Sequence, residues 1–135
     1  MPATRRLFPA TAASAAALLL ALCVPTAPVR AESALWLRAA AISPDGKTVA
    51  FSYRGDLWTV PVAGGAATPI TVAAAYDTAP VWSPDGKLIA FASDRYGNFD
   101  VFVMPASGGE AKRLTYHSAD DMPTSFTPDG KAVLF

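Results

Sequence analysis

The residues that come nearest to a catalytic set lie together in one short segment, Tyr-His-Ser-Ala-Asp-Asp at 116–121. His117, Ser118 and Asp120 are the residue types of a serine-hydrolase triad, in which an aspartate orients a histidine that activates a serine. Triad members, however, come from distant parts of a chain and meet through an oriented set of hydrogen bonds. Their crowding here favours a solvated loop, and no residue of the chain is predicted to be catalytic.

Two other polar groups could bind a ligand or form an ion pair. Adjacent carboxylates at Asp120 and Asp121 could share a hard cation, because such cations take carboxylate oxygens on loops. Asp94 and Arg95 could form an ion pair on a second loop, with Tyr96 exposed beside them. A solvated surface loop explains both groups more simply. No cofactor-binding or metal-binding residue is therefore predicted.

The N-terminal segment that ends at Ala31 has the three regions of a secretory signal peptide. Arginines precede an apolar stretch at 12–24, and Val-Arg-Ala at 29–31 is a small-x-small cleavage site. The apolar stretch is short for a membrane span. We expect cleavage after Ala31 and a periplasmic or secreted chain without a stable membrane anchor. Cys23 leaves a lipoprotein signal open, although Leu22 stands where a lipobox has a small residue.

The composition of the expected mature chain excludes several classes of function. Cys23 is the only cysteine, so the mature chain has no disulfide, thiol nucleophile or cysteine-ligated metal. Of the 11 Lys+Arg, three lie in the signal segment, which leaves eight against 11 Asp+Glu and a net charge of −3. This balance argues against a nucleic-acid partner.

A five-residue string recurs along the rest of the chain. Ser-Pro-Asp-Gly-Lys occupies 43–47 and again 83–87, and Thr-Pro-Asp-Gly-Lys occupies 127–131. The spacings of 40 and then 44 residues are typical of a repeat architecture. Matches in the flanking residues place the four-residue insertion at 93–99, where a hairpin loop is expected.

Each repeat predicts four short strands that are rich in β-branched and aromatic residues. In the second repeat they lie at roughly 79–82, 88–93, 99–105 and 111–115. The Ser-Pro-Asp-Gly string has the chemistry of a type I turn followed by a glycine. Four strands in about 40 residues make one blade of a β-propeller. We therefore predict an all-β chain of four-stranded antiparallel blades.

The predicted partial propeller occupies 32–135, with blade 1 at about 35–71, blade 2 at about 79–115 and the start of blade 3 at about 123–135. Propellers close with roughly four to eight blades. About two and a half blades of an incomplete propeller are therefore expected, which favours a fragment of a longer protein. A ring assembled from several copies is the alternative.

The segment 116–121 becomes, in this arrangement, the linker from the outer strand of blade 2 to the inner strand of blade 3. The matching linker is 72–77, in which Asp77 stands where the later linker has Asp121. The earlier linker has no histidine and no serine. We expect 116–121 to lie near the mouth of a central channel.

The tryptophans could form a platform for a carbohydrate or a peptide. Trp58 and Trp82, however, stand where the following repeat has Phe102 and Phe126, which predicts positions in the core. For Trp36, at the edge of the first blade, the choice between a core position and a binding platform stays open.

The repeat resembles the WD-like propeller repeat of TolB and of tricorn-type proteases, over essentially the whole mature chain. The residues that carry the resemblance are Trp-Ser-Pro-Asp-Gly-Lys at 82–87, Ile-Ala-Phe at 89–91, Ser-Asp-Arg at 93–95, 100–104, Gly-Gly at 108–109 and Arg-Leu-Thr at 113–115. TolB would be expected to place a separate α/β domain before its propeller. The predicted first blade begins at about residue 35, so there is no room for such a domain between Ala31 and the propeller. The start of the chain is therefore most similar to that of secreted tricorn-like proteases.

That resemblance implies a substrate-gating and scaffold propeller from an exported tricorn-like serine peptidase, with the catalytic domain missing from this chain. In that family a PDZ domain and a protease core follow the propeller, so no catalytic residue carries over to this chain. The implied partners are peptides or proteins at the propeller channel or face, and the downstream domains of the parent chain. A non-enzymatic TolB-like periplasmic interaction module is one alternative. The propeller of a prolyl-oligopeptidase-like peptidase or an amidohydrolase is another.

Overall fold

The structure, a computed structural model, describes residues 37–135, and every regular element in this range is a β-strand. The first four strands are β1 Leu37–Ile42, β2 Thr48–Tyr53, β3 Asp56–Pro61 and β4 Thr68–Pro69. They are followed by β5 Asp77–Trp82, β6 Leu88–Ser93, β7 Asp100–Pro105, β8 Lys112–Arg113, β9 Ser125–Phe126 and β10 Val133–Leu134. No helix within 37–135 is long and apolar enough to cross a membrane. The expected signal peptide and Trp36 lie outside the described residues.

The strands form three antiparallel sheets in simple chain order. β1 to β4 make one four-stranded sheet, β5 to β8 make a second, and β9 pairs with β10 in a third. The two large sheets share one register, since Phe51 lies opposite Trp58 in the first and Phe91 lies opposite Phe102 in the second. The predicted all-β fold of four-stranded antiparallel blades is confirmed.

Each Asp-Gly turn closes the hairpin between the first two strands of its sheet. Ser83 Oγ donates to Asp85 Oδ1 at 2.7 Å and accepts the backbone N–H of Leu88 at 2.9 Å. The bond from Ser83, helped by one from the backbone N–H of Lys87, lowers the pKa of Asp85. Gly86 has a φ of +70°, which favours glycine. The same bonds recur in the turns at 43–47 and 127–131.

The hydrophobic core lies between the first two blades. Its buried members are Ala50 and Leu57 of the first blade and Ile89, Phe91, Phe102 and Met104 of the second. Because cross-strand partners share a face of a sheet, blade 1 turns its Ala50 face toward blade 2 and its Phe51 face away. Blade 2 turns the equivalent of the Phe51 face, which carries Phe91, toward blade 1. The small Ala50 side chain thus allows a bulky neighbouring face to approach closely.

Polar contacts also join successive blades. Trp82 Nε1 donates to the carbonyl oxygen of Ala41 at 3.1 Å, across the blade 1–blade 2 boundary. The entry to each later blade is bonded to the β-hairpin before it. The backbone N–H of Asp77 donates to Gly55 O at 2.7 Å, and that of Asp121 donates to Phe99 O at 2.7 Å. Successive blades are therefore tied through backbone as well as through side chains.

The inner strands carry a β-bulge at equivalent places. The register shifts between Arg38 and Ala41 in β1 and between Thr78 and Val81 in β5. Such a bulge adds residues to a strand without ending its pairing. β5 therefore begins at Asp77, which is fully buried. The prediction that placed Asp77 in a linker is wrong for this reason.

Candidate functional site

Two arginines of the second blade are held by buried aspartates. Arg95 Nη2 lies 3.1 Å from Oδ1 and 3.3 Å from Oδ2 of Asp77. Arg113 Nη2 lies 2.6 Å from Oδ2 of Asp100, an oxygen that has no other polar partner among the described residues. Both carboxylates are fully buried, whereas both guanidinium groups are partly exposed. Each pair therefore balances a buried negative charge and fixes an arginine at the surface.

The ion pair considered for Asp94 and Arg95 is not among the contacts of residues 37–135. Asp94 Oδ1 instead accepts the backbone N–H of Tyr76 at 2.7 Å, and Arg95 Nε donates to Ser93 Oγ at 2.8 Å. The physical reason is burial. The fully buried carboxylate of Asp77 loses more without a cationic partner than a carboxylate at the surface does.

Around these arginines lies a group of stacked aromatic rings, which we call the arginine–tyrosine cluster: Arg95, Tyr96, Phe102, Arg113 and Tyr116. The guanidinium carbon of Arg95 lies 4.4 Å from the Phe102 ring centre. That of Arg113 lies 4.5 Å from the Tyr96 ring and 4.6 Å from the Tyr116 ring. Distances below about 6 Å are those of cation–π contacts. Tyr96 also lies parallel to Phe102, with ring centres 6.2 Å apart.

The two tyrosines present most of their surface to solvent. Tyr96 is 64% exposed and Tyr116 is 74% exposed. The arginine between them is anchored by Asp100, so the rings rest on a support that is already ordered. Tyrosine and arginine are the residue types that protein interfaces favour. Ordered in advance, they lose little side-chain entropy on binding.

Blade 1 has no equivalent of this cluster. At the offset of 44 residues, Pro69 stands in place of Arg113 and Val72 in place of Tyr116. Arg95 and Tyr96 belong to the loop that carries the four-residue insertion. The cluster is therefore an addition to the repeat, and the blade framework of β1 to β4 forms without it.

Asp56 of blade 1 is the equivalent of Asp100, but blade 1 lacks the arginine that pairs with Asp100. Burial raises the pKa of Asp56, and the nearby charge of Asp77 adds to the increase, while a hydrogen bond from Thr71 opposes it. Asp56 Oδ1 is buried without a hydrogen-bond partner in the part of the chain that the structure describes. Pro69 can supply neither a charge nor a donor to it.

The linker 116–121 is fastened to the inserted loop. Asn98 Nδ2 donates to the carbonyl oxygens of His117 and Ala119 at 3.0 and 2.8 Å. The backbone N–H of Phe99 donates to Asp120 Oδ1 at 3.0 Å. The linker residues thus hold one another and the loop in a defined shape.

The histidine, serine and aspartate of this linker do not form a catalytic triad. His117 Nδ1 accepts the backbone N–H of Ala119 at 3.1 Å, whereas a triad histidine donates from that nitrogen to its aspartate. No hydrogen bond joins Ser118 to His117 within residues 37–135. In the same range no group of three or more His, Cys, Asp or Glu side chains is arranged to hold a metal ion. Of the two adjacent aspartates, Asp120 accepts the backbone N–H of Phe99 through its Oδ1.

A groove opens beside the cluster, at the outer edge of the boundary between the blades. Its volume is about 320 Å³. One wall is the segment 70–73 of the first blade, and the other is formed by Arg95, Gly109 and Ala111. The lining is mainly apolar, with the Arg95 guanidinium group as its charged element. Such a groove has room for a few side chains of an extended peptide.

Repeated four-stranded antiparallel sheets that pack face to face define this chain as a β-propeller protein. Residues 34–135 match the family described as the tricorn protease N-terminal beta propeller domain. The chain belongs to that family.

Solved structures and a curated relative agree with this assignment. The putative TolB from Agrobacterium tumefaciens superposes with a TM-score of 0.64 at 26% identity, over 70% of this chain and 35% of that one. TolB from Acinetobacter baumannii gives 0.62 at 27% identity, over 71% and 25%. The tricorn protease gives 0.60 at 27% identity, over 70% and 10%. An uncharacterized peptidase of Bacillus subtilis (strain 168), YuxL, is 35% identical over 66 residues, which are 42% of this chain and 10% of that protein. The chain thus spans about a third or less of each of these proteins.

Proposed function

We propose that this chain is the N-terminal propeller of an exported tricorn-like serine peptidase, and that it binds peptide segments and guides them toward a catalytic domain elsewhere in the parent protein. The observation that carries the proposal is the family match over 34–135. Two further proteins that the chain resembles, the tricorn protease and YuxL, are named as a protease and a peptidase. The chemistry of cleavage is assigned to no residue of this chain.

The peptide is proposed to bind at the arginine–tyrosine cluster and the groove beside it. The tyrosine rings offer apolar faces that tolerate many sequences, and the groove accepts side chains from an extended backbone. The buried aspartates already neutralise both arginines. Binding is therefore expected to depend on contact area more than on charge, which suits a filter for unfolded segments.

Fluorescence anisotropy tests this site. Labelled unstructured peptides of about ten residues are titrated with the purified chain and with the single variants Tyr96→Ala and Tyr116→Ala. Loss of a central interface tyrosine costs more than about 1.4 kcal/mol, so each variant is expected to weaken binding about tenfold. Ile42→Ala, a change at an exposed apolar residue of β1, is the control and leaves binding unchanged. Equal affinity of the tyrosine variants and the unaltered chain would refute the site.

Export is part of the same proposal. The sequence before Glu32 supports it, because it has the regions of a signal peptide. Intact-mass measurement of the protein recovered from the periplasm or the medium is expected to show a chain that begins at Glu32. A full-length chain retained in the cytoplasm would exclude export.

A TolB-like interaction module is the second candidate, because two of the similar structures are TolB proteins. The two functions differ in the state of the partner. A folded protein recovered in a fixed ratio from an envelope extract would favour the module. Selective retention of unfolded peptides would favour the peptidase propeller.

A further inference from the structure

The two exposed tyrosines of the arginine–tyrosine cluster belong to different segments of blade 2. Tyr96 lies in the inserted loop between β6 and β7, and Tyr116 lies in the linker after β8. Arg113 lies opposite Phe102, on the face that blade 2 turns toward blade 1. The cluster therefore lies at the boundary between the two four-stranded blades. Its shape depends on the contacts that hold the loop and the linker together.

Asn98 makes side-chain contacts that join these two segments. Its amide nitrogen, Nδ2, donates to the carbonyl oxygen of His117 at 3.0 Å and to that of Ala119 at 2.8 Å. An asparagine amide has two N–H donors, so both are used here. Asn98 lies two positions after Tyr96, and His117 directly follows Tyr116. The two bonds therefore fix the backbone that carries one tyrosine relative to the backbone that carries the other.

Two further hydrogen bonds support the same junction. The backbone N–H of Phe99 donates to Asp120 Oδ1 at 3.0 Å, which adds a second connection from the loop to the linker. The backbone N–H of Ala119 donates to His117 Nδ1 at 3.1 Å, which holds the two acceptors of Asn98 in one turn of the linker. We call these bonds, together with the two from Asn98, the loop–linker latch.

The sheet of blade 2 does not need the loop–linker latch. The pairing of β6 with β7 ends at Ser93 and Asp100, on either side of the inserted loop. Blade 1 closes the equivalent hairpin with only Arg54 and Gly55 between β2 and β3, and its sheet keeps the same register. The latch therefore orders the exposed loop and the exposed linker. Groups that are ordered before a ligand binds lose less entropy on binding.

We propose that Asn98 is a positioning residue for peptide binding, which holds the inserted loop against the linker and thereby sets the spacing of Tyr96 and Tyr116. This inference rests on the peptide site of the proposed function. The spacing corresponds to one guanidinium group, because Arg113 lies between the rings at 4.5 and 4.6 Å. Without the donors of Asn98, the loop and the linker separate more readily. A peptide must then order both tyrosines as it binds, which lowers its affinity.

Fluorescence anisotropy with labelled unstructured peptides tests the positioning role at neutral pH. Asn98→Asp keeps the size of the side chain, but its carboxylate has no donor and faces two carbonyl oxygens. Asn98→Asp and Asn98→Ala are each expected to weaken binding about fivefold, which corresponds to the ordering of one side chain. Ala63→Asp, which adds the same charge at an exposed turn of blade 1, is the control and leaves binding unchanged. Equal affinity of Asn98→Asp and the unaltered chain overturns the proposal.

A lower pH distinguishes the loss of a hydrogen-bond donor from the loss of packing. Once the carboxyl group of the Asn98→Asp variant takes up a proton, its O–H can donate to one of the two carbonyl oxygens. At about pH 4 the affinity of this variant, relative to the unaltered chain at the same pH, is expected to recover in part. Asn98→Ala has no such donor and stays weak. Circular dichroism verifies that each variant is folded at both pH values. Equal behaviour of the two variants at low pH would contradict the role of the donor.

Amide hydrogen exchange, followed by NMR, detects the loop–linker latch without a peptide. The backbone amides of Phe99 and Ala119 are expected to exchange at least about tenfold faster in Asn98→Asp. The amide of Gly97, which donates to the Asp94 carbonyl oxygen within the loop, is the internal reference and keeps its rate. Faster exchange with unchanged affinity would overturn the positioning role and leave the tyrosine site intact. If Tyr96→Ala and Tyr116→Ala also bind normally, the proposed site has failed, and this inference fails with it.

Discussion

Arg113 Nη2 lies 2.6 Å from Oδ2 of Asp100, a carboxylate with no exposed surface. Replacing Arg113 by Met keeps much of its apolar bulk but leaves the carboxylate without its cation. Removing one partner of a buried pair costs about 3 kcal/mol, so Arg113→Met is expected to lower the free energy of unfolding by about that amount in a urea titration. The double variant Asp100→Asn/Arg113→Met is expected to recover a large part of the loss. A double variant less stable than the single one would show that the unpaired charge of Asp100 is not the cause of the loss.

Asp56 is expected to make stability depend on pH. Burial and the charge of Asp77 raise its pKa, so the folded chain keeps a proton there at pH values where the unfolded chain has lost it. The carboxyl therefore lowers the free energy of unfolding as the pH rises from its ordinary pKa of 3.8 to the raised value. Asp56→Asn is expected to be more stable than the unaltered chain above this window and equally stable well below it.

Asp45, in the turn at 43–47, is expected to change the stability with pH in the opposite direction to Asp56. The hydrogen bond from the Ser43 hydroxyl lowers the pKa of Asp45, with help from the backbone N–H of Lys47. The stability that Asp45 contributes is present above its unfolded pKa and is lost as the pH falls through the lowered folded value. Asp45→Asn is thus expected to destabilise the chain at neutral pH, in the same thermal melts in which Asp56→Asn stabilises it. A shift of the same sign in both variants would rule out this explanation.

Two tryptophan substitutions are expected to differ although each removes the same group. Trp82 Nε1 donates to Ala41 O between blades, so Trp82→Phe is expected to cost about 1 kcal/mol for the hydrogen bond, plus the cost of the smaller ring. Trp58→Phe removes a donor without a partner among residues 37–135, which offsets the cost of its smaller ring. Denaturant titrations of the two variants compare these losses. A greater loss in Trp58→Phe would contradict the assigned contacts.

Alanine substitutions at two equivalent glycines distinguish the cost of backbone strain from the cost of crowding. Gly64 and Gly108 have φ angles of +91° and +84°, so alanine is strained at either position by about 1 kcal/mol. An added Cβ at Gly64 meets open space, whereas one at Gly108 lies 3.3 Å from the carbonyl oxygen of Ile70 in the adjacent blade. Gly108→Ala is therefore expected to lower the melting temperature more than Gly64→Ala. Equal shifts would show that the blades do not approach closely there.

The fold was predictable because its determinants are local and repeated. The turn at 83–87 needs only its own residues, and the strands around it have side-chain types that suit a sheet. The bulge in β5 was not predictable, since it depends on how β5 pairs with β6 and not on a turn residue. Because of this bulge, Asp77 lies in a buried strand and not in the linker where the sequence placed it.

The candidate site was predicted only in part. The inserted loop was expected from the change in spacing, but the only ion pair considered for Arg95 was with its neighbour Asp94. The true partner, Asp77, lies 18 positions away in sequence. Which carboxylate a guanidinium group binds is decided by burial after the sheet has formed, and sequence distance carries little of that information.

The backbone bonds from Asp77 to Gly55 and from Asp121 to Phe99 have a consequence for synthesis. In both cases the strand or linker that opens a blade is bonded to a hairpin completed earlier in the chain. A chain that leaves the ribosome from its N-terminus offers that hairpin before the next blade exists. We therefore expect the blades to assemble in chain order, with each finished hairpin pairing with the start of the blade that emerges after it.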